Sequence, residues 1–119
     1  MPTEELGKKV ELAWLLDFYG GMLTEKQREV LALHCEEDLS LGEIAGEAGI
    51  SRQGVHDMLT RAAAKLFDME ARLGIARRFS RIQDGLEDVR QSLKQQEYQQ
   101  AAQQVELLIR LNQEDNNGL

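Results

Sequence analysis

One cysteine, one proline and few aromatic side chains mark this 119-residue chain. A single Cys, at position 35, excludes a disulfide framework and any cysteine-rich zinc site within the chain. A lone thiol suits a reducing cytoplasm. Proline occurs only at position 2 and aromatics make up 5% of residues, which favours helices. No apolar run approaches the roughly 18 residues of a membrane span. Glu4 and Glu5 stand where a secretory leader would carry a basic flank, so no signal peptide is expected. No Gly-rich phosphate loop follows a strand and no serine-nucleophile motif occurs, so no enzymatic activity and no cofactor are expected. What remains is one domain's worth of chain, able to bury about two-thirds of its unfolded surface.

Positive charge is also scarce: 14 Lys and Arg face 21 Asp and Glu, for a net charge of -7. Such a total argues against indiscriminate nucleic-acid binding, but it is unevenly spread. Residues 1–50 hold four basic and eleven acidic side chains. Residues 51–81 reverse this with seven basic and three acidic, a local net of +4. Residues 82–119 return to three against seven. A basic stretch between two acidic ones either steers a local phosphate contact or is a solvated helix face that carries Arg.

The hydrophobic spacing is helical throughout, with no strand signal. Leu6, Val10, Ala13, Trp14 and Phe18 predict a helix over 5–19, closed by a left-handed turn at Gly20-Gly21. Thr24 with Gln27, and Ser40 with Glu43, are capping boxes that open two further helices. The first carries Val30, Leu31 and Leu33 and ends at Glu36-Glu37-Asp38. The second is short, with Leu41, Ile44, Ala45 and Ala48 on its apolar face. Gly49 supplies the positive φ of a tight turn, and Ser51 caps a helix that runs to about Leu73, where Gly74 stops it. Beyond it, Ile75, Phe79, Ile82, Leu86, Val89 and Leu93 alternate by four and three residues, a short heptad seam. A second stripe, from Tyr98 through Val105 to Leu111, follows. Two antiparallel helices turning near 94–97 explain both stripes. One long helix is the alternative, since no Gly or Pro interrupts the turn region. The expected architecture is all-α. A module over 1–73 contains a helix-turn-helix at 40–65, and a helical hairpin over 74–113 packs on it or serves association. A polar tail occupies 114–119, beginning to fray from Asn112.

Function concentrates in 40–61, SLGEIAGEAGISRQGVHDMLTR. Ile44, Ala45, Ala48, Ile50, Val55 and Met58 fall where a helix-turn-helix needs packing residues, and Ala45 must be small because the second helix crosses it. In this motif the N-terminal residues of the second helix meet base edges in the major groove. Outside on that helix stand Arg52, Gln53, His56, Asp57, Thr60 and Arg61. Gln53 has the donor and acceptor geometry for adenine, and Arg52 suits guanine or phosphate. Ser51 and the helix N-terminus can take a phosphate. Thr60, Arg61 and Lys65 would follow the backbone. The expected nucleic-acid-binding set is therefore Ser51, Arg52, Gln53, His56, Thr60, Arg61 and Lys65. Against it, Asp57, Glu43 and Glu47 repel phosphate, and helix-turn-helix units also dock proteins.

Other candidates read as structure. Trp14 fits the core. Cys35 fits a semi-buried site, and adjacent His34 points about 100° away on a helix, so no nucleophile pair or metal site is expected. Glu36, Glu37 and Asp38 fit a solvated helix end. Arg77, Arg78 and Arg81 would serve a phosphate track or the acidic residues of a neighbour equally well.

Asp17 to Leu66 resembles the YlxM-like family (UPF0122), small bacterial helical proteins with a helix-turn-helix like that of sigma-factor region four. The resemblance lies in four ordered blocks: Asp17-Phe18-Tyr19; Leu23 to Arg28; Leu39 to Ala45; and Ser51-Arg52-Gln53 followed by Val55, Asp57 and Arg61. It implies DNA binding and, through gene neighbourhood, a link to the signal recognition particle pathway. Gly54 and His56 depart from the usual Ala and Tyr. Gly54 costs the helix about 1 kcal/mol, and His56 replaces an aromatic that could stack. The last forty residues carry no function across.

The expected function is a nucleic-acid-binding regulatory or accessory protein of the signal recognition particle pathway, acting in the cytoplasm. Its partners would be the particle's RNA, DNA or the particle's protein, with a homo-oligomer through residues 75–93 as a further expectation. The alternatives are a protein-docking module that binds a basic partner, with the helix-turn-helix as scaffold, and a DNA-binding transcription regulator.

Overall fold

The computed structural model describes residues 2–117, with side chains for 8–114. Six α-helices follow one another: α1 (Pro2–Tyr19), α2 (Glu25–Cys35), α3 (Leu41–Ala48), α4 (Arg52–Leu73), α5 (Ile75–Lys94) and α6 (Tyr98–Asn117). Among the described residues there is no strand, and no helix is long and apolar enough to cross a membrane. Contacts divide the chain into two units, Met1–Ala76 and Arg77–Leu119.

Local signals set most helix ends of the first unit. At α2, Thr24 Oγ1 accepts from the Gln27 N–H at 3.1 Å and the Thr24 N–H donates to Gln27 Oε1 at 3.0 Å. Ser40 and Glu43 make the same reciprocal pair at α3, both bonds 3.1 Å. Ser51 Oγ accepts from the Gly54 N–H at 2.9 Å at α4. Gly49 (φ 72°) and Gly74 (φ 63°) close α3 and α4 in the left-handed region, where a side chain would cost about 1–2 kcal/mol. Gly20 and Gly21 do not do this. Gly20–Met22 forms a 3-10 turn, and Gly20 is buried close to Leu16, where a Cβ would lie 3.3 Å from Leu16 Cδ1. That glycine serves close packing, not handedness.

Two apolar clusters share α4. Leu12, Leu15, Leu16 and Tyr19 of α1 meet Leu31, Ala62 and Leu66 in one. Val30, Ile44, Ala48 and Val55 form the other. The buried face of α1 is thus rotated from the expected stripe: Val10 is 62% exposed while Leu15 is 1% exposed. Residues 12–19 are apolar on nearly every side, so several stripes fit their spacing, and packing on α2 and α4 selects one. Leu6 lies outside the described side chains. Trp14 and Phe18 are partly buried against the first cluster, their rings edge to face at 5.5 Å.

The first unit extends past Gly74 because the start of α5 is tied to it. Tyr19 Oη donates to Glu70 Oε1 at 2.6 Å and accepts from the Ile75 N–H at 3.1 Å. Glu70 Oε1 also accepts from the Ala76 N–H at 3.0 Å. Two N–H groups that a helix start leaves unpaired are satisfied this way. Tyr19→Phe therefore costs about 1–3 kcal/mol, because the partly buried Ile75 N–H loses its acceptor while Glu70 keeps only its other donors. Burial, reinforced by the bond to Glu70, holds the Tyr19 phenol above its ordinary pKa of 10.0. Between the unfolded and native values the native state keeps the proton that the unfolded chain has lost. Stability is then full below about pH 10 and falls as pH rises through the native value. Urea midpoints at about pH 9 and pH 10.5 should show this fall in the parent chain and less of it in Tyr19→Phe.

The second unit is an antiparallel hairpin. Ser92 Oγ donates to Gln104 Oε1 at 2.9 Å, and a Cβ on Gly85 would overlap Leu108. The helices approach closely there because Gly85, Ser92 and Ala101 are small. Of the two arrangements open to the sequence, the turn at 95–97 selects the hairpin over one long helix. Gln96 makes the turn at φ 60°, a left-handed conformation unusual for a side chain of its length. Gln96→Gly should raise stability by about 0.5–1 kcal/mol, read as a higher urea midpoint at unchanged m. The last helix continues to Asn117, past the expected start of the polar tail, because nothing between 98 and 117 breaks a helix. Residues 118 and 119 lie outside the described residues.

Candidate nucleic-acid interface

The outward face of α4 is fixed by its inward one. Val55 is fully buried against Val30, Ile44 and Ala48, and Ala45, Ile50, Met58 and Leu59 pack around them. The Ala45 carbonyl accepts from both the Gly49 and Ile50 N–H groups, at 3.0 and 3.2 Å, which locks the turn. Lys26 Nζ donates to the Ala48 carbonyl at 2.9 Å and so holds the end of α3 to α2. With these contacts set, the 3.6-residue period turns Arg52, Gln53, His56, Asp57, Thr60 and Arg61 to solvent, and all six are exposed.

The seven residues expected at the interface differ in what they already hold. Ser51 Oγ is the helix cap, and a Cβ on Gly54 would sit 3.0 Å from it, so Gly54 leaves that oxygen room. Gln53 Nε2 donates to Asp57 Oδ1 at 3.1 Å. His56 Nδ1 stands 3.6 Å from the same carboxylate oxygen, an ion pair once the imidazole is protonated. Thr60 Oγ1 donates to the His56 carbonyl at 2.9 Å, so its hydroxyl proton is committed to the helix. Lys65 Nζ donates to the Met22 carbonyl at 2.7 Å and joins α4 to the 3-10 turn. Among the described residues, Arg52 and Arg61 carry no ion pair.

Arg52, Gln53 and His56 line an open cleft of about 440 Å³ whose fourth side is Leu41, at the start of α3. Leu41, whose spacing places it on the apolar face of α3, is half-buried and serves both places. Glu43, two residues on, is held below the usual carboxylate range by the Ser40 N–H and then by the Ser40 side chain. It therefore stays ionised near neutral pH.

Other polar clusters do not assemble a site. Burial pushes the Cys35 thiol up, against the pull of the Lys9 cation and with Glu36 adding to it, so the sulfur stays protonated near neutral pH. Burial, and then the Lys9 cation, pushes His34 down. Asp38 sits at φ 55° and accepts from Lys9 Nζ at 2.6 Å, beside exposed Glu36 and Glu37. Among the described residues no three His, Cys, Asp or Glu side chains converge on a metal-sized point. Arg77 and Arg81 are exposed on α5, and Arg78 is half-buried.

Known proteins match this sequence. Residues 6–107 match a family described as "Putative helix-turn-helix protein, YlxM / p13 like" (UPF0122). A UPF0122 protein of Acetivibrio thermocellus is 50% identical over 74 residues, 62% of this chain and 63% of that protein. One from Thermoanaerobacter sp. is 42% identical over 80 residues, 67% of this chain and 68% of its own length. One from Bacillus mycoides is 37% identical over 109 residues, 90% of this chain and 99% of that protein. The match thus spans just under two-thirds of the Acetivibrio relative and nearly all of the Bacillus one.

Proposed function

This chain belongs to the UPF0122 family of YlxM/p13-like helix-turn-helix proteins, and from that premise we propose that it binds nucleic acid through α4. The observation that carries the reading is the outward face of α4: Arg52 and Arg61, nine residues or about two and a half turns apart, bear uncommitted cations at the two edges of a face whose inward counterpart is locked. Arg52 takes guanine or phosphate, Arg61 follows the backbone, and His56 and Thr60 lie between them. Gln53 reads a base only after its amide leaves Asp57, so base contact competes with an existing hydrogen bond. Ser51 and Lys65 position the helix while they cap and anchor it. The family resemblance supports a regulatory or accessory role in the signal recognition particle pathway, in the cytoplasm, with the particle's RNA or DNA as the polymer.

A second reading has its own observation. Glu36 and Glu37 are exposed together and Asp57 adds a carboxylate to the face of α4, which suits a basic protein such as the particle's own subunit. Fluorescence anisotropy separates the readings. Labelled signal recognition particle RNA, with duplex DNA of equal charge as competitor, should bind at micromolar or tighter concentration near physiological salt. DNA that outcompetes the RNA would favour a transcription regulator. Binding of neither polymer would reject the nucleic-acid reading and favour protein docking, which neutralising Glu36, Glu37 and Asp38 should abolish.

A further inference from the structure

Helical geometry places an apolar face on one side of the hairpin. Gly85 and Ser92 of α5 touch Leu108 and Gln104 of α6, so these four positions mark the seam. Ile82 and Val89 share the seam side of α5 and are half-buried. Leu86 and Leu93 each follow a seam residue by one position, about 100° further round α5. Val105 and Ile109 follow Gln104 and Leu108 by one position on α6. Because the helices run in opposite directions, the same rotation from each seam brings both pairs to the same side. Tyr98, seven residues before Val105, joins them. The five are 40–64% exposed. The expected association seam over 75–93 is therefore divided. Ile82 and Val89 are used inside the hairpin, and the free apolar surface is shared between α5 and α6.

We propose that this face pairs with the same face of a second copy of the chain, giving a four-helix arrangement. Three observations select a second copy. Leu86 and Leu93 are seven apart, as are Tyr98 and Val105, with Ala102 and Ile109 completing a 4-3-4 rhythm on α6; this is the spacing of helices that pack side by side in bundles. The hairpin unit holds six basic and seven acidic residues, so it is nearly neutral. The first unit holds eight basic and fourteen acidic, and like charges there oppose self-association. Finally, the named side chains run about 17 Å along α6 and about 10 Å along α5, a two-helix patch at the small end of protein interfaces, which suits a reversible pairing of two like copies. The contact is isologous, each copy giving the same patch. It does not rest on the nucleic-acid reading, and it is tested without nucleic acid.

Sedimentation equilibrium of the full chain between about 1 and 100 µM is the measurement. The expected mass is twice the 13.5 kDa of one chain. Leu86→Glu with Ile109→Glu should raise the dissociation constant by at least 100-fold, with helical content by circular dichroism unchanged. Leu107→Glu is the control: Leu107 is 62% exposed but precedes Leu108, so it lies on the opposite side of the hairpin and its replacement should leave association intact. If the Glu pair lowers helicity, Leu86→Gln with Ile109→Gln carries the same test. A parent chain that stays monomeric at 100 µM overturns the proposal. So does a dimer indifferent to the paired substitutions, or one weakened equally by Leu107→Glu.

Discussion

Replacing Arg52 and Arg61 together by Glu should lower nucleic-acid affinity by at least 100-fold at about 0.1 M salt. Each replacement removes a cation and installs an anion, so the face of α4 changes by four charges while Asp57 remains. Both side chains are exposed, which leaves the fold intact. Binding through three to five phosphates weakens with salt at a slope of about -0.7 to -0.9 per phosphate. Loss of two contacts should therefore flatten the slope by about 1.4–1.8. Anisotropy titrations at three salt concentrations read both quantities. An unchanged slope in the double variant would remove these arginines from the contact. Arg61→Gln alone should weaken RNA and DNA alike, because a backbone contact carries no sequence information.

Leu66→Ala should cost about 2–5 kcal/mol, the range for a large side chain deleted from a closed site. Leu66 is fully buried in the cluster that joins α1, α2 and α4. The same helix carries Val55 into the second cluster eleven residues earlier. A cavity at Leu66 therefore loosens the member on which the outward arginines are mounted. A domain of this size is stable by only about 5–15 kcal/mol, so the variant should unfold at a much lower urea concentration with little change in m. Leu86→Ala, at a half-exposed position, should cost far less. Similar losses at both positions would mean that the two sites do not differ in how they are packed.

What the sequence made legible was local. Thr24 with Gln27 and Ser40 with Glu43 announce helix starts because the partners are three residues apart. Gly49 and Gly74 announce helix ends because only glycine adopts their φ at little cost. The outward set on α4 followed from period alone once Val55 and Met58 were assigned inward. The illegible parts were bonds between distant residues. Nothing near Tyr19 points to Glu70, 51 residues away, or to the start of α5. The attachment of Lys65 to Met22 and of Lys26 to Ala48 is equally silent, although each settles what a lysine is used for. The hairpin stayed ambiguous because Gln96, not glycine, takes the left-handed position in its turn. The division of the heptad seam depended on Gly85, whose missing side chain lets Leu108 in.

The spacing of contacts along the chain also orders their formation in time. Only residues 36–40 separate α2 from α3, and only 49–51 separate α3 from α4. Closing such short loops loses little entropy, and assemblies of neighbouring helices form in microseconds to milliseconds. The seat of α1 is different, for its leucines rest on Ala62 and Leu66, about fifty residues downstream. During synthesis from the N-terminus, α1 meets Leu31 of α2 early but waits for Ala62 and Leu66. Its leucines are covered on one side only, and open to solvent or a chaperone on the other, until α4 has left the ribosome.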